Sequence, residues 1–173
     1  MRRLCLLFAC LLILLPLHSA LAQGKGPKAS GGKDEAKIEA LFQQYLRAFN
    51  AKDTNAIMSL YSSTDLFVFD VVPPREYPSW DAYKKDFETL FAAFPGPVEN
   101  KLSGLSITTA GTMAYAHNIQ TVAFTAKDGS KFNLVVRVSD VLRKINGKWL
   151  IVHEHVSVPV DLAAGKPVLQ STP

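Results

Sequence analysis

The chain has 173 residues, of which 48% are hydrophobic and 20% are charged. This is enough for one domain with a hydrophobic core, and a second domain is not expected. The formal net charge is +4, but the basic residues are interspersed with acidic ones and form no stripe, which argues against nucleic acid as a partner. Composition therefore favours a small globular protein whose partner is a neutral or mildly acidic small molecule.

The first 22 residues have the pattern of a cleavable signal peptide. Two arginines precede an apolar segment over residues 4–17, and small residues follow at Ala20 and Ala22. The apolar segment is shorter than the roughly 20 residues that a membrane-spanning helix needs. We therefore predict cleavage before Gln23 and a periplasmic or secreted protein, with no membrane contact after the leader is removed.

Cysteine and histidine usage argues against metal and thiol chemistry. Both cysteines, Cys5 and Cys10, lie in the leader, so the mature chain has no thiol for a disulfide, a metal site or catalysis. His153 and His155 share one face of a predicted strand, but two histidines without a third ligand make a poor site. No nucleotide motif is present either, so the sequence predicts neither a metal nor a cofactor.

The helical part of the chain comes first. Residues 23–33 are rich in glycine and lysine and are predicted to be a flexible linker. From Asp34 onward, apolar residues recur at helical spacing, at Ile38, Leu41, Phe42, Tyr45 and Phe49. Asp53 is a suitable N-cap for a short second helix, and a third helix is predicted to begin near Ser79, after a short strand at residues 66–72.

The second half of the chain predicts β structure. Segments rich in β-branched residues are separated by turn signals, at residues 102–108, 112–125, 131–145 and 148–158. Helices and a curved antiparallel sheet can bury their apolar faces only against each other, which leaves a cavity where the sheet curls away. We predict one α+β domain over residues 34–160 with three N-terminal helices, and a loose tail at 161–173.

Two segments carry a resemblance to known families. Residues 45–61, followed by Phe69-Asp70, resemble the opening of bacterial ketosteroid isomerases and SnoaL-like cyclases. Residues 147–157 are similar to the closing strand of the calcium/calmodulin-dependent kinase II association domain. The resemblance implies the cone-shaped, cystatin-like fold of the nuclear transport factor 2 superfamily. It implies either a cofactor-free isomerase or lyase acting on a small hydrophobic carbonyl compound, or a non-catalytic ligand-binding or oligomerisation module.

The isomerase resemblance assigns three candidate catalytic residues. Tyr45 and Asp140 fall at the positions of its two oxyanion donors, and Asp70 falls at the position of its base. A carboxylate that removes a proton from carbon, together with donors to the developing oxyanion, is what enolisation requires. The sequence departs from the family pattern at two points: one extra residue separates Tyr61 from Asp70, and Phe87 stands where some isomerases have a tyrosine.

The residues themselves leave alternatives open. Asp70 is equally explained as a cap of the following proline turn, and Tyr45 as part of the helix core. The face of Asp140 depends on the hairpin at Asn146-Gly147: a two-residue loop places it opposite His153, and a three-residue bulged loop places it opposite Val152.

The walls of the cavity and the outer sheet face complete the predictions. The expected cavity walls are Tyr83, Phe87, His117 and Val156. His117 is either a pocket residue or a satisfied core histidine. The bulged register, which the resemblance favours, puts Asp140 in the cavity and Trp149, His153 and His155 on the outer face. A face with Trp149, Ile151 and Val141 exposed predicts a homodimer.

Overall fold

The computed structural model describes residues 32–172. The predicted signal peptide, its cleavage site and nearly all of the predicted linker lie outside the described residues. No helix among residues 32–172 is long and apolar enough to cross a membrane.

Three helices precede most of the sheet. Their bounds are Gly32–Asn50 (α1), Thr54–Met58 (α2) and Trp80–Ala93 (α3). The side chain of Asp53 accepts a hydrogen bond from the Ala56 N–H and caps α2, and the Ser79 hydroxyl accepts one from the Ala82 N–H and caps α3. The helices thus begin where the cap signals of the sequence predict. α1 begins at Gly32, slightly earlier than the domain boundary predicted at residue 34.

Five strands form one curved sheet, and their order across it is β1-β5-β4-β3-β2. Their bounds are Phe67–Phe69 (β1), Val98–Ala110 (β2), Met113–Thr125 (β3), Lys131–Ile145 (β4) and Lys148–Ser157 (β5). The four long strands form the predicted antiparallel meander. β1 instead runs parallel to β5, with Phe67 paired to His153, so the sheet is mixed.

The β4–β5 hairpin has a register that neither sequence alternative predicted. Asn146 and Gly147 form a two-residue turn with φ values of 50° and 80°, and Ile145 pairs with Lys148. Farther along β5 the pairing slips by one residue at Val152, which is a β-bulge. The bulge offsets the register set by the turn, and Asp140 consequently lies opposite Glu154.

The bulge also decides which β5 side chains face the helices. Trp149 and Ile151, before the bulge, are buried in the main core, and Glu154, after it, is buried as well. The prediction that Trp149 and Ile151 lie on the outer face is therefore wrong. His153 and His155 do lie on that face, where each ring contacts Phe69.

The C-terminal residues differ from the predicted loose tail. Two short strands, Val160–Asp161 (β6) and Lys166–Pro167 (β7), pair with each other. Farther on, the Leu169 carbonyl accepts a 2.7 Å hydrogen bond from the Val135 N–H of β4. The apolar Leu169 side chain packs on Leu134, Val136 and Val138, which explains why a segment without periodicity is ordered.

Candidate active site

A cavity of about 290 Å³ lies between α1, α3 and the inner face of the sheet. Most of its wall is apolar. The lining comprises Phe49, Val71, Val72, Phe87, Leu90, Phe94, Val122, Phe124, Phe132, Leu134, Val136, Val138 and Val156, and the polar residues Tyr45, Asp70, Tyr83, Asp86, Gln120 and Glu154. None of these lining residues is basic. An apolar cavity with a few convergent polar groups is the usual form of a small-molecule site.

The polar groups form one hydrogen-bonded cluster around Glu154. Tyr61 donates to Glu154 Oε2 over 2.8 Å, and Tyr83 contacts Glu154 Oε1 over 2.6 Å. The Tyr83 hydroxyl also lies 3.0 Å from Asp70 Oδ2. Asp140 lies opposite Glu154 on the neighbouring strand, and its Oδ2 accepts a 3.5 Å hydrogen bond from the Asn118 side-chain amide.

Asp70 is held at the end of β1, where the chain turns towards α3. Its Oδ1 accepts hydrogen bonds from the backbone N–H groups of Val71, at 2.5 Å, and Val72, at 3.4 Å. Asp70 therefore caps this turn, as one sequence alternative proposed, and lines the cavity as well. The backbone contacts fix one carboxylate oxygen, while the other oxygen contacts Tyr83.

Burial raises the pKa of the carboxyl groups in this cluster. Desolvation is the largest cause for Asp70, and the charges of Glu154 and Asp86 add to it; together they raise the pKa of Asp70 to about 7. The pKa of Asp140 is raised well above its usual value by burial and by Glu154. The pKa of Glu154 is also raised by burial, although hydrogen bonds from Tyr83 and Tyr61 oppose the rise. A carboxyl group that titrates near neutral pH is suited to act as a general base.

Tyr45 differs from the other tyrosines of the cavity. It is buried on the inner stripe of α1, as the core-packing alternative proposed, and it lines the cavity. Among residues 32–172 its hydroxyl has no hydrogen-bond partner, whereas the Tyr61 and Tyr83 hydroxyls both bind Glu154. Burial raises the pKa of Tyr45 well above its usual value, so the hydroxyl keeps its proton and can donate a hydrogen bond to a ligand.

The predicted site residues separate into three groups. Five of them line the cavity: Tyr45, Asp70, Tyr83, Phe87 and Val156. Asp140 faces the same side of the sheet but is only 1% exposed, and it lies behind Glu154 rather than in the cavity wall. His117 is exposed on the opposite face of β3, so its predicted place in the pocket is wrong. The alternation of β3 turns its neighbour Asn118 inward instead.

Two acidic residues of the cavity were missed by the sequence analysis. Glu154 stands between two outward-facing histidines, and only the bulge at Val152 turns it inward. Asp86 is on α3 one residue before Phe87, and its Oδ1 accepts a 2.7 Å hydrogen bond from Tyr77. Its position three residues after Tyr83 was the available signal, because residues at that spacing share a helix face.

The fold and the cavity define a small α+β protein with a largely apolar site that also carries several acidic side chains. Residues 38–161 match the SnoaL-like domain family, and the chain belongs to that family. A comparison with curated proteins finds no match.

Similar solved structures have the same fold. One is a nuclear transport factor 2-like protein of unknown function from Pseudomonas putida KT2440, with 25% identity and a TM-score of 0.73 over 81% of this chain and 96% of that one. Another is a nuclear transport factor 2-like superfamily protein from Salmonella enterica serovar Typhimurium LT2, with 22% identity and a TM-score of 0.68 over 78% and 96%. A ketosteroid isomerase-like protein from Erwinia carotovora atroseptica has 21% identity and a TM-score of 0.63 over 73% and 96%.

Proposed function

We propose that this protein is a cofactor-free isomerase or lyase that removes a proton from carbon next to the carbonyl of a small hydrophobic compound. The observation that carries the proposal is the Asp70 carboxyl group, which lines an apolar cavity and has a pKa of about 7. The ketosteroid isomerase-like name of one structural relative points to the same class of chemistry.

Each step of this reaction has a candidate residue. Asp70 is the base, because its Oδ2 contacts only the Tyr83 hydroxyl while its Oδ1 is occupied by backbone N–H groups. Tyr45 is the donor to the developing oxyanion, since its hydroxyl has no hydrogen-bond partner among residues 32–172 and is free to bind a ligand. Apolar walls exclude water and strengthen both interactions. Asp140, the second donor in the sequence prediction, does not line the cavity and is not assigned this role.

The test uses 3-cyclohexen-1-one, a small ketone whose conversion to the conjugated isomer is followed by ultraviolet absorbance. Asp70→Asn should lower kcat/KM by about 10²- to 10⁴-fold, because only the base is lost. Binding of 4-nitrophenol should persist in this variant and report an intact cavity. Glu99→Gln, a change of an exposed carboxylate on β2, is the matched control. Full turnover by Asp70→Asn contradicts the assignment of Asp70.

The pH dependence provides a second test of the same base. Only ionised Asp70 accepts a proton, and its pKa is about 7. We therefore expect kcat/KM of the wild-type protein to rise with pH and to level off above about pH 8. A flat profile between pH 5 and pH 8 would exclude Asp70 as the base.

We also infer that the protein acts as a homodimer that associates through the outer sheet face. The side chains that support this are apolar and exposed: Phe67, Phe69, Met113, Tyr115 and Ile119. The dimer was predicted from Trp149 and Ile151, which are buried in the structure. The exposed side chains of the outer face now support it instead. Light scattering should give twice the chain mass, and Tyr115→Lys should give a monomer, whereas Tyr115→Phe should remain dimeric. A wild-type monomer at micromolar concentration would refute the inference.

Export to the periplasm or beyond is proposed from residues 1–22 alone, on their signal-peptide pattern. N-terminal sequencing of protein recovered from the periplasm should begin at Gln23. Recovery of a chain that still begins at Met1 would contradict this proposal.

A further inference from the structure

Glu154 occupies a position that an uninterrupted strand would not give it. With the two-residue turn at Asn146-Gly147 and no bulge, His153 would lie opposite Asp140 and Glu154 would face outward. The bulge at Val152 reverses this, and Glu154 is 3% exposed and lines the cavity. Bulges often re-aim a side chain next to a functional site.

The surroundings of Glu154 suit a charged carboxylate. The Tyr61 and Tyr83 hydroxyl groups donate to its two oxygens over 2.8 Å and 2.6 Å, and Asp140 lies opposite it on β4. Burial and the nearby Glu154 raise the pKa of Asp140 well above its usual value, so Asp140 stays protonated and adds no charge beside Glu154. The two tyrosine donors favour the negative charge of Glu154 and oppose the rise in its pKa that burial causes.

Tyr83 joins Glu154 to Asp70 through a single hydroxyl group. This hydroxyl lies 2.6 Å from Glu154 Oε1 and 3.0 Å from Asp70 Oδ2. A tyrosine hydroxyl carries one hydrogen, so it can donate to only one of the two carboxylates. When it donates to Glu154, the contact with Asp70 is a hydrogen bond only if Asp70 is protonated and donates to the tyrosine oxygen.

From this geometry we propose that Glu154 is a second catalytic carboxylate, which receives through Tyr83 the proton that Asp70 removes and returns it to a different carbon of the ligand. The proposal rests on the proposed function and narrows it to reactions that move a proton between two carbon atoms. Both carboxyl groups line the same cavity, so one ligand can contact both.

The proton transfers balance in a closed cycle. Asp70 takes the proton from carbon, and the C–H electron pair forms a dienolate on the ligand. Asp70 then gives its proton to the Tyr83 oxygen while the Tyr83 hydrogen passes to Glu154. Glu154 protonates the distal carbon, where the dienolate electron pair forms the new C–H bond. All three side chains return to their starting state.

The first experiment needs no ligand. Carbon-13 NMR of labelled carboxyl groups follows the titration of Asp70 in the whole protein. Glu154→Gln should lower its midpoint from about 7 by about one pH unit, because the Glu154 charge is one of the causes that raise it. Glu99→Gln should leave the midpoint where it is. An unchanged midpoint in Glu154→Gln overturns the proposal.

The second experiment separates proton removal from proton return. In D₂O, proton NMR of 3-cyclohexen-1-one measures deuterium exchange at the carbon beside the carbonyl and, separately, formation of the conjugated isomer. Tyr83→Phe and Glu154→Gln should retain exchange and lose isomerisation at least tenfold. Tyr61→Phe removes a donor to the same carboxylate but no link to Asp70, so it should keep the wild-type ratio of the two rates.

The outcomes distinguish this proposal from the proposed function. If Glu154→Gln lowers both rates equally or neither, one carboxylate performs both steps; Glu154 is then not catalytic, while Asp70 remains the base. If Asp70→Asn changes neither rate, or the wild-type protein does not react, the proposed function fails. A lower titration midpoint of Asp70 in Glu154→Gln would then still show that the charge of Glu154 raises the pKa of Asp70.

Discussion

The two faces of the same three strands, β3, β4 and β5, present opposite chemistry. The inner face buries Asn118, Asp140 and Glu154, whereas the outer face of these strands carries His117 and His153. Neighbouring residues in one strand therefore experience different surroundings, because strand side chains alternate between faces. The comparison teaches that the chemistry of this sheet is set by register, and that a shift of one residue would exchange the two sets.

The buried acidic side chains of the inner face destabilise the fold when they ionise, and the exposed acids of the outer face do not. Asp70, Asp140 and Glu154 all have pKa values raised above the ordinary range by burial. Exposed acids such as Glu99 stay in water and pair with basic neighbours such as Lys101. Residues that lower stability are commonly kept at functional sites, where stability is traded for activity.

The largest expected effect is on packing at the inner face. Leu142 is completely buried in the main core, and Leu142→Ala should lower the free energy of unfolding by about 2–5 kcal/mol. Its neighbour Val141 faces outward and is only half-buried, so Val141→Ala should cost about 1 kcal/mol or less. Urea unfolding measures both changes, and equal losses would contradict the assignment of faces.

An intermediate effect is expected from neutralising Asp70. Folded Asp70 keeps its proton up to about pH 7, whereas an unfolded aspartate loses it near pH 3.8. Its contribution to stability is therefore complete below about pH 4 and is lost as the pH rises to about 7.

Asp70→Asn removes this pH-dependent loss. At pH 8 the variant should be more stable than the wild-type protein by roughly 2–4 kcal/mol, and at pH 4 the two should be similar. Glu99→Gln on the outer face should change neither value by more than about 0.5 kcal/mol. Thermal unfolding at the two pH values decides the matter, and a less stable Asp70→Asn at pH 8 would exclude a buried charge there.

The smallest expected effect concerns the turn that sets the register. Gly147 has a φ of 80°, which a side chain rarely adopts, so Gly147→Ala should lower stability by about 1–2 kcal/mol. Gly32→Ala, in a helix with open space around the added carbon, is the control and should not lower stability. Equal effects of the two substitutions would argue against the two-residue turn.

The helices and the long strands were predictable because their signals are local. The apolar stripe of α1, the caps Asp53 and Ser79 and the glycine turns each act over a few residues. The family resemblance added candidate site residues. Two of them, Tyr45 and Asp70, prove to line one cavity.

The sequence by itself determined the α+β architecture and the alternation of each strand, since both follow from local periodicity. Only the tertiary structure decided the two-residue turn, which buries Trp149, and the bulge at Val152, which buries Glu154 and turns His153 outward. A bulge has no strong local signal, because its cost is offset by contacts distant in sequence, such as the pairing of Tyr61 with Ile151 and the hydrogen bond from Tyr61 to Glu154. The place of Glu154 in the cavity therefore depends on long-range contacts that fix the register of β5 against β4.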